Sequence, residues 1–174
     1  LWLPGWPVVM VDWLGAREYA KWMSEKTGLP WRLPFELEWE KAARGTDGRH
    51  YPWGNTFVPT RCNNRHSVEK RPLPAGSKEY PQDRSPYGLL GMAGNVSDWC
   101  LDTYSKAPNV NELRQAITEV VEGEPQTERI MRGGSWVGSH ETVSLGRRLS
   151  NLPISRLSSC GIRLCRNIID KKDA

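Results

Sequence analysis

Side chains that could bind a metal ion or act as nucleophiles are few in this chain and widely spaced. The four cysteines occupy positions 62, 100, 160 and 165 and include no CxxC pair. Cys160 and Cys165 are five residues apart, a spacing that suits neither a zinc site nor a redox motif. The three histidines, at positions 50, 66 and 140, form no HExxH motif. These spacings therefore indicate no zinc or dithiol chemistry.

Arginines are concentrated in the last third of the chain, where they could bind an anion or a nucleic acid. They stand at positions 132, 147, 148, 156, 163 and 166. Ser and Leu separate them, rather than aromatic residues that stack on bases, and the formal net charge is only +4. Nucleic acid is therefore not the favoured partner. We instead expect ion pairs beneath a sheet, between these arginines and carboxylates: Arg132, Arg148 and Arg163 with Glu36, Glu38 or Asp98.

The length and composition of the chain limit the kind of fold that can position these groups. The chain has 174 residues, of which 38% are hydrophobic and 25% charged, and this balance excludes an intrinsically disordered protein. Its longest wholly apolar run is 7–11, whereas a membrane span needs about 20 residues. Nine Trp against two Phe predict a core built on indole rings, and 16 Gly with 13 Pro predict many ordered turns. We expect one domain over 1–174.

Two amphipathic helices are predicted near the start of the chain. A short strand at 8–11 leads to Asp12, which is a good N-cap residue for a helix over 13–27. A second helix is predicted over 35–44, with Pro34 in its first turn. The apolar stripe of the first helix is expected to consist of four side chains: Ala16, Tyr19, Ala20 and Met23.

Most of the remaining chain is predicted to be ordered loop and short strand. Glycines and prolines interrupt 46–97 throughout, so we expect no long helix there and loops that aromatic side chains hold in place. A third helix is predicted over 109–122, and closing strands around 143–149 and 161–168. Together these elements indicate an α+β fold with a small antiparallel sheet, two main helices and long ordered loops.

Four stretches of the sequence resemble a known family. They are PVVMVDW and TGLPWRLPFELEWEKAARG within 7–45, YPWGN at 51–55, YGLLGMAGNVSDW at 87–99, and RGGSW with a later GIR within 132–163. In order and spacing they resemble the formylglycine-generating enzyme, or sulfatase-modifying factor, domain. The resemblance covers nearly the whole chain and implies a C-type-lectin-like fold, although the family's N-terminal sheet segment has no counterpart here.

The resemblance implies an oxidase in which two cysteines bind copper and convert a substrate cysteine to formylglycine, because thiolates are the soft ligands that Cu(I) requires. In the family those cysteines follow the second glycine of GGS by four and nine residues, and these positions are Gly138 and Val143 here. Neither residue can bind copper, and Cys160 and Cys165 lie beyond both positions. We therefore expect no copper cofactor, no catalytic residues and no enzymatic activity.

The resemblance also implies a calcium site in the stretch LGMAGNVSDW (90–99). Carried over to this chain, Gly94 and Val96 offer carbonyl oxygens and Asp98 offers a carboxylate, which are ligands of the type that Ca²⁺ prefers. The family's remaining side-chain ligand falls on Gly91, which has no side chain. One interpretation is a weak calcium site. The other is a structural turn in which Asp98 binds backbone amides.

Residues 137–163 have an unusual composition. Lys, Gln, Met, Trp and Glu make up 37 of the 174 residues, so five or six are expected in a window of 27, yet the window holds only Glu141. Those five types cannot be reached by changing the adenines of an Asn codon, whereas all other types that are present in the window can be. Framed by RGGSW and GIR, the window resembles the variable region of a protein served by a diversity-generating retroelement. A rigid scaffold can present such side chains without relying on them for stability.

The function predicted from these features is non-catalytic binding of a protein or another macromolecule through a display surface. Its expected members lie in the window and should be solvent-exposed on one face: Val137, Gly138, Ser139, His140, Thr142, Ser155, Leu157 and Ser158. Four framing residues should instead belong to the scaffold: Trp136, Arg148, Gly161 and Arg163. The first alternative is a catalytically inactive accessory or recognition domain of a larger protein. The least favoured alternative is an oxidase of the family.

Overall fold

Two helices lie on opposite faces of a four-stranded sheet in the computed structural model, which describes residues 3–105 and 126–167. The helices are α1 (Trp13–Thr27) and α2 (Glu36–Arg44), and a single 3-10 turn follows at Pro59–Arg61. The strands are, in chain order, β1 (Trp31–Arg32), β2 (Ser97–Thr103), β3 (Arg129–Arg132), β4 (Leu149–Asn151), β5 (Cys160–Gly161) and β6 (Cys165–Arg166).

The main sheet has the strand order β4-β3-β2-β5. Strand β3 runs antiparallel to both β2 and β4, whereas β5 pairs with β2 in parallel. Strands β1 and β6 form a separate antiparallel pair. The α+β architecture is therefore as predicted, and the main sheet differs from the prediction in having a parallel edge strand.

Alternation of side chains along the strands divides the core between the two helices. Trp99 and Met131 are paired across β2 and β3, and both pack with Trp13 of α1 on one face of the sheet. Ile130 points to the other face and packs with Trp39 of α2. The three indole rings in these clusters are at most 2% exposed, so the predicted tryptophan core is confirmed for these three residues, whereas Trp22 is 47% exposed.

Both predicted helices are confirmed, because their local signals are strong. Asp12 caps α1 by accepting a hydrogen bond from a backbone N–H of the first turn at 2.7 Å. Helix α2 begins one residue later than predicted, since Phe35 is extended and its N–H donates to Glu38 at 2.9 Å. Tyr19 does not belong to the core: it is 41% exposed and stacks on Trp22. Within the part of the chain that the structure describes, no helix is long and apolar enough to cross a membrane.

The strand predicted at 8–11 is wrong. Only Val9 forms a bridge, which is antiparallel to Gly161 at the edge of the sheet. Met10 adopts a φ of 60°, in the left-handed region, and this turn of the backbone ends the pairing after one residue.

The later elements are partly as predicted. No helix longer than the 3-10 turn occurs in 46–97, in agreement with its glycine and proline content. The strand predicted at 143–149 is wrong, since the chain turns there and β4 starts at its last residue. The strand predicted at 161–168 is divided between β5 and β6. The helix predicted over 109–122 lies outside the described residues.

Candidate functional site

A buried cluster of charged side chains joins α2, β3 and the loop that follows β3. Arg132 is fully buried and donates to Glu36 Oε1 at 3.1 Å and to the carboxylate of Glu40. Arg148 binds both carboxylate oxygens of Glu36, at 2.7 and 2.9 Å. Arg132 also donates to the carbonyl oxygen of Leu145 at 2.7 Å, so it fixes the course of the loop through its backbone. The predicted pairing of arginines with carboxylates beneath the sheet is confirmed.

Asp98, the predicted carboxylate ligand of a calcium ion, is buried and has two side-chain donors. Its Oδ2 accepts from Trp39 Nε1 at 2.9 Å and from Arg163 Nε at 2.7 Å. Arg163 also donates to the carbonyl oxygen of Gly91 at 3.2 Å, and the charge of Asp98 raises the pKa of this arginine. A guanidinium thus supplies the positive charge beside Asp98, so this set of residues does not fit a calcium ion. The geometry favours the structural interpretation, with side chains rather than backbone amides as the donors.

Gly94 and Val96, whose carbonyl oxygens were the other expected calcium ligands, are buried in the turn before β2. The N–H of Gly94 donates to the carbonyl oxygen of Gly133 at 2.7 Å. A Cβ atom built on Gly94 would lie 2.1 Å from the carbonyl oxygen of Asn63, so only glycine fits there. Among residues 3–105 and 126–167, no group of three or more His, Cys, Asp or Glu side chains could hold a metal ion.

Asp83 is a second buried carboxylate near this turn. Its Oδ1 accepts hydrogen bonds from the backbone N–H groups of Met92 and Ala93, both at 3.1 Å. Burial raises the pKa of Asp83 to about 7, although these two hydrogen bonds and the charge of Arg163 lower it in part. Asp83 therefore holds the turn in place through its backbone bonds.

Removing divalent cations is expected to leave the stability unchanged, because Arg163 already neutralises Asp98. Thermal unfolding followed by circular dichroism should show a change in Tm of less than about 2 °C when EDTA is added to protein purified with calcium. An ion present at 100 times its Kd would contribute about 2.7 kcal/mol, which corresponds to roughly 5–10 °C in a domain of this size. A decrease of that size, reversed by added calcium, would contradict the prediction.

The loop after β3 brings the two expected copper positions together. Gly134 has a φ of 67°, and a Cβ atom there would lie 2.4 Å from the carbonyl oxygen of Thr142, so the loop folds closely on itself. A Cβ atom built on Gly138 would lie 3.0 Å from Val143 Cγ1. The two positions are therefore neighbours in space, but one carries no side chain and the other a buried hydrocarbon.

The thiols of the chain do not replace the missing pair. All four cysteines are free. Cys62 packs in the same cluster as Val143, but burial raises the pKa of its thiol to about 12. Burial likewise raises the pKa of Cys160 well above its ordinary value. Because the thiolate is the form that binds metals and attacks substrates, neither sulfur is prepared for such chemistry.

The eight residues of the predicted display surface differ in exposure. Val137, His140 and Ser158 are exposed, Val137 by 53%. Four others are half-buried: Ser139, Thr142, Ser155 and Leu157. The expectation of exposure is wrong for Gly138, which is buried. A Cβ atom on Gly138 would lie 2.9 Å from the carbonyl oxygen of Ser135, so a side chain at this position would require the loop to shift.

Five of these eight residues line one cleft of about 360 Å³, which we call the sheet cleft: Val137, Gly138, Ser139, Thr142 and Leu157. Its floor is the face of the main sheet on which α1 packs, and four strands contribute one residue each: Ser97, Met131, Leu149 and Cys160. The loop after β3 and the segment before β5 form its walls.

Sequence analysis did not identify the floor of the sheet cleft, nor Arg65 at its edge. Alternation along β2 and β3 would place Ser97 and Met131 on one face, but only once the pairing of these two strands is known. Arg65 lies in an irregular loop, where its N–H donates to the carbonyl oxygen of Gly138 at 3.1 Å. No periodic pattern in the sequence indicates such a contact.

Comparison with known proteins is consistent with the fold. Residues 3–168 match the sulfatase-modifying factor enzyme 1-like domain. The serine/threonine-protein kinase pkn1 of Chlamydia pneumoniae is 35% identical over 164 residues, which are 93% of this chain and 24% of that protein. The formylglycine-generating enzyme of Thermomonospora curvata is 34% identical, with 92% of this chain and 55% of that protein covered. The inactive C-alpha-formylglycine-generating enzyme 2 of Bos taurus is 32% identical, with 90% and 49% covered.

The chain thus spans about half or less of the length of these relatives. Among solved structures, Treponema denticola variable protein 1 matches with a TM-score of 0.77 at 24% identity, over 94% of this chain and 72% of that one. The likeness confirms the expected fold. With a domain match over nearly all of its length and the two-helix, small-sheet architecture in place, this chain belongs to the sulfatase-modifying factor enzyme 1-like family.

Proposed function

We propose that this chain is a non-catalytic binding domain, and that 137–163 is the variable region of a protein diversified by a retroelement. The observation that carries the proposal is the division of the window into two kinds of residue. Val137, His140 and Ser158 expose their side chains, whereas Arg148 and Arg163 make ion pairs with carboxylates that are at most 5% exposed. Substitution of the exposed residues therefore leaves the two ion pairs in place.

The absence of sulfur at the two expected copper positions supports a binding role over catalysis. Gly138 and Val143 supply no ligand for Cu(I), which prefers thiolates. The inactive relative from Bos taurus is an instance of this domain without the activity. If the proposal is correct, a sulfatase-type peptide incubated aerobically with the protein keeps its cysteine. Formation of an aldehyde on that peptide would overturn the non-catalytic assignment.

The tolerance of the display surface can be measured with two matched libraries. In the first, three exposed display codons are randomised: those of Val137, His140 and Ser158. In the control library, three buried codons outside the window are randomised: those of Leu33, Leu101 and Ile130. We expect most clones of the first library to resist protease on the yeast surface, since exposed substitutions usually change stability by less than about 0.5 kcal/mol.

Few clones of the control library should survive, because truncating a buried aliphatic side chain costs about 2–5 kcal/mol. Equal survival of the two libraries would mean that the window is not a display surface. Survival of the first library alone shows that the display positions tolerate substitution. The DNA downstream of the gene then shows whether these positions are diversified.

The competing proposal is an invariant, inactive recognition domain within a larger protein. The kinase relative favours it, because the matching segment there is 24% of a longer chain. Sequencing the DNA downstream of the gene separates the two. A near-copy of codons 137–163, with adenines where the gene varies and a reverse transcriptase gene beside it, supports diversification. A locus without such a copy favours the invariant domain.

A further inference from the structure

Charge is distributed unevenly around the sheet cleft. Its floor and walls consist of aliphatic side chains, hydroxyl groups, a thioether and the Cys160 thiol, none of which carries a charge while that thiol stays protonated. Among the described residues that line the cleft, Arg65 alone bears a permanent charge. A ligand that fills this cleft therefore meets apolar surface at the floor and one cation at the edge.

The position of Arg65 is fixed by its backbone. Its N–H donates to the carbonyl oxygen of Gly138 at 3.1 Å, and its own carbonyl oxygen accepts from Lys70 Nζ at 2.6 Å. The Lys70 ammonium is therefore held against the backbone of Arg65. Glu141 is exposed, and its carboxylate lies 4.0 Å from His140 Nε2.

No ion pair joins the guanidinium of Arg65 to a carboxylate within residues 3–105 and 126–167. Several other arginines of the described chain, among them Arg132, Arg148 and Arg163, do make such pairs. Arg65 is thus an exposed residue that lines a cleft of mixed aliphatic and hydroxyl character, and within the described chain its charge has no carboxylate partner.

From this juxtaposition we propose that the sheet cleft binds a protein segment in which an aliphatic side chain is next to an acidic one. The aliphatic side chain enters the cleft and contacts Met131 and Leu149, while the carboxylate pairs with Arg65. The volume of about 360 Å³ is at the small end of the range for ligand pockets, which suits one side chain rather than a folded domain. The proposal rests on the binding function proposed above and specifies the chemistry of the partner.

The two parts of the ligand have separate physical roles. Burial of the aliphatic side chain supplies most of the affinity, because removal of apolar surface from water drives such association. The carboxylate contributes direction and specificity, since an exposed ion pair changes the Kd by at most about fivefold. That contribution is screened by salt, whereas the apolar contribution is not.

The probes are three blocked tetrapeptides of sequence Gly-Leu-Asp-Gly, Gly-Leu-Asn-Gly and Gly-Leu-Lys-Gly. Each is titrated into the isotope-labelled protein, and the backbone amide signals of Ser97, Met131 and Cys160 report on the floor of the cleft. We expect the Asp peptide to shift these signals with a Kd about fivefold lower than that of the Asn peptide at low salt.

Variants of the protein complete the test. In Arg65→Gln the difference between the Asp and Asn peptides should disappear, and in Arg65→Glu the Lys peptide should bind more tightly than the Asp peptide. Arg61→Gln is the matched control, because Arg61 lies in the same segment but does not line the cleft, and it should leave the preference unchanged.

Equal affinity of the native protein for the Asp and Asn peptides would overturn the role of Arg65. A lack of any shift at the cleft signals with all three peptides would overturn the assignment of the ligand. Neither result affects the library comparison or the DNA analysis, so failure of this proposal is distinguishable from failure of the proposed function.

Discussion

Replacing Arg132 by methionine is expected to lower the free energy of unfolding by about 3–5 kcal/mol, as for other buried ion pairs that lose one partner. Arg132 is fully buried and donates to Glu36, Glu40 and the carbonyl oxygen of Leu145. Methionine has a similar length but no donor, so Glu36 loses one of its two arginine partners, keeping Arg148, and the carbonyl oxygens of Leu145 and Arg147 lose the bonds that Arg132 donates. Denaturant unfolding followed by tryptophan fluorescence measures the change.

Arg156→Met is the control for this experiment. Arg156 also pairs with a carboxylate, that of Asp12 at 2.8 Å, but its side chain is 67% exposed. We expect a loss of less than about 1 kcal/mol, because exposed ion pairs contribute little. Similar losses for the two variants would mean that the buried cluster does not stabilise the fold more than a surface pair does.

Gly94→Ala is the second substitution with a large expected effect. Gly94 has a φ of 76°, and a Cβ atom there would lie 2.1 Å from the carbonyl oxygen of Asn63. The contact is with backbone, which cannot rotate away as a side chain can, so the turn before β2 must move. We expect the free energy of unfolding to decrease by about 3–5 kcal/mol, from overpacking and from the left-handed conformation together.

The chain offers a matched control for the conformational part of that loss. Gly28 ends α1 with a φ of 68°, and a Cβ atom there meets nothing within 4 Å. Gly28→Ala should cost only about 1–2 kcal/mol, the penalty for a left-handed L-residue. If Gly94→Ala cost no more than Gly28→Ala, the close approach of Asn63 would not be a real constraint.

Local signals explain which elements could be predicted from the sequence. Helix α1 has a capping aspartate and a terminal glycine, and both act within one turn of the residues that they affect. The strand at 8–11 failed because Val9 pairs with Gly161, more than 150 residues away, and because Met10 turns the backbone. Strands of two or three residues, such as β4 and β5, depend on distant partners and leave little periodicity to detect.

The residues of the candidate site likewise fall into two groups, those that sequence signals indicate and those that depend on distant contacts. The residues of the window were recognisable because their composition is biased, and the pairing of Arg148 with Glu36 followed from charge. The floor of the sheet cleft depends on the register of four neighbouring strands, and Arg65 depends on a loop contact with Gly138. Neither the register nor the loop contact is encoded in a run of adjacent residues, so only the structure could provide them.

The contacts of Arg132 with the loop have an evolutionary consequence. Arg132 binds the carbonyl oxygens of Leu145 and Arg147, and carbonyl oxygens are supplied by every type of amino acid. Arg132 lies outside the window, and its hydrogen bonds to the backbone of the loop do not depend on the types of the loop residues. New side chains at the exposed positions of the loop leave this attachment in place, so these positions tolerate more substitutions than the buried loop residues Val143 and Leu145. Such a segment can explore new specificities rapidly without first acquiring compensating mutations elsewhere.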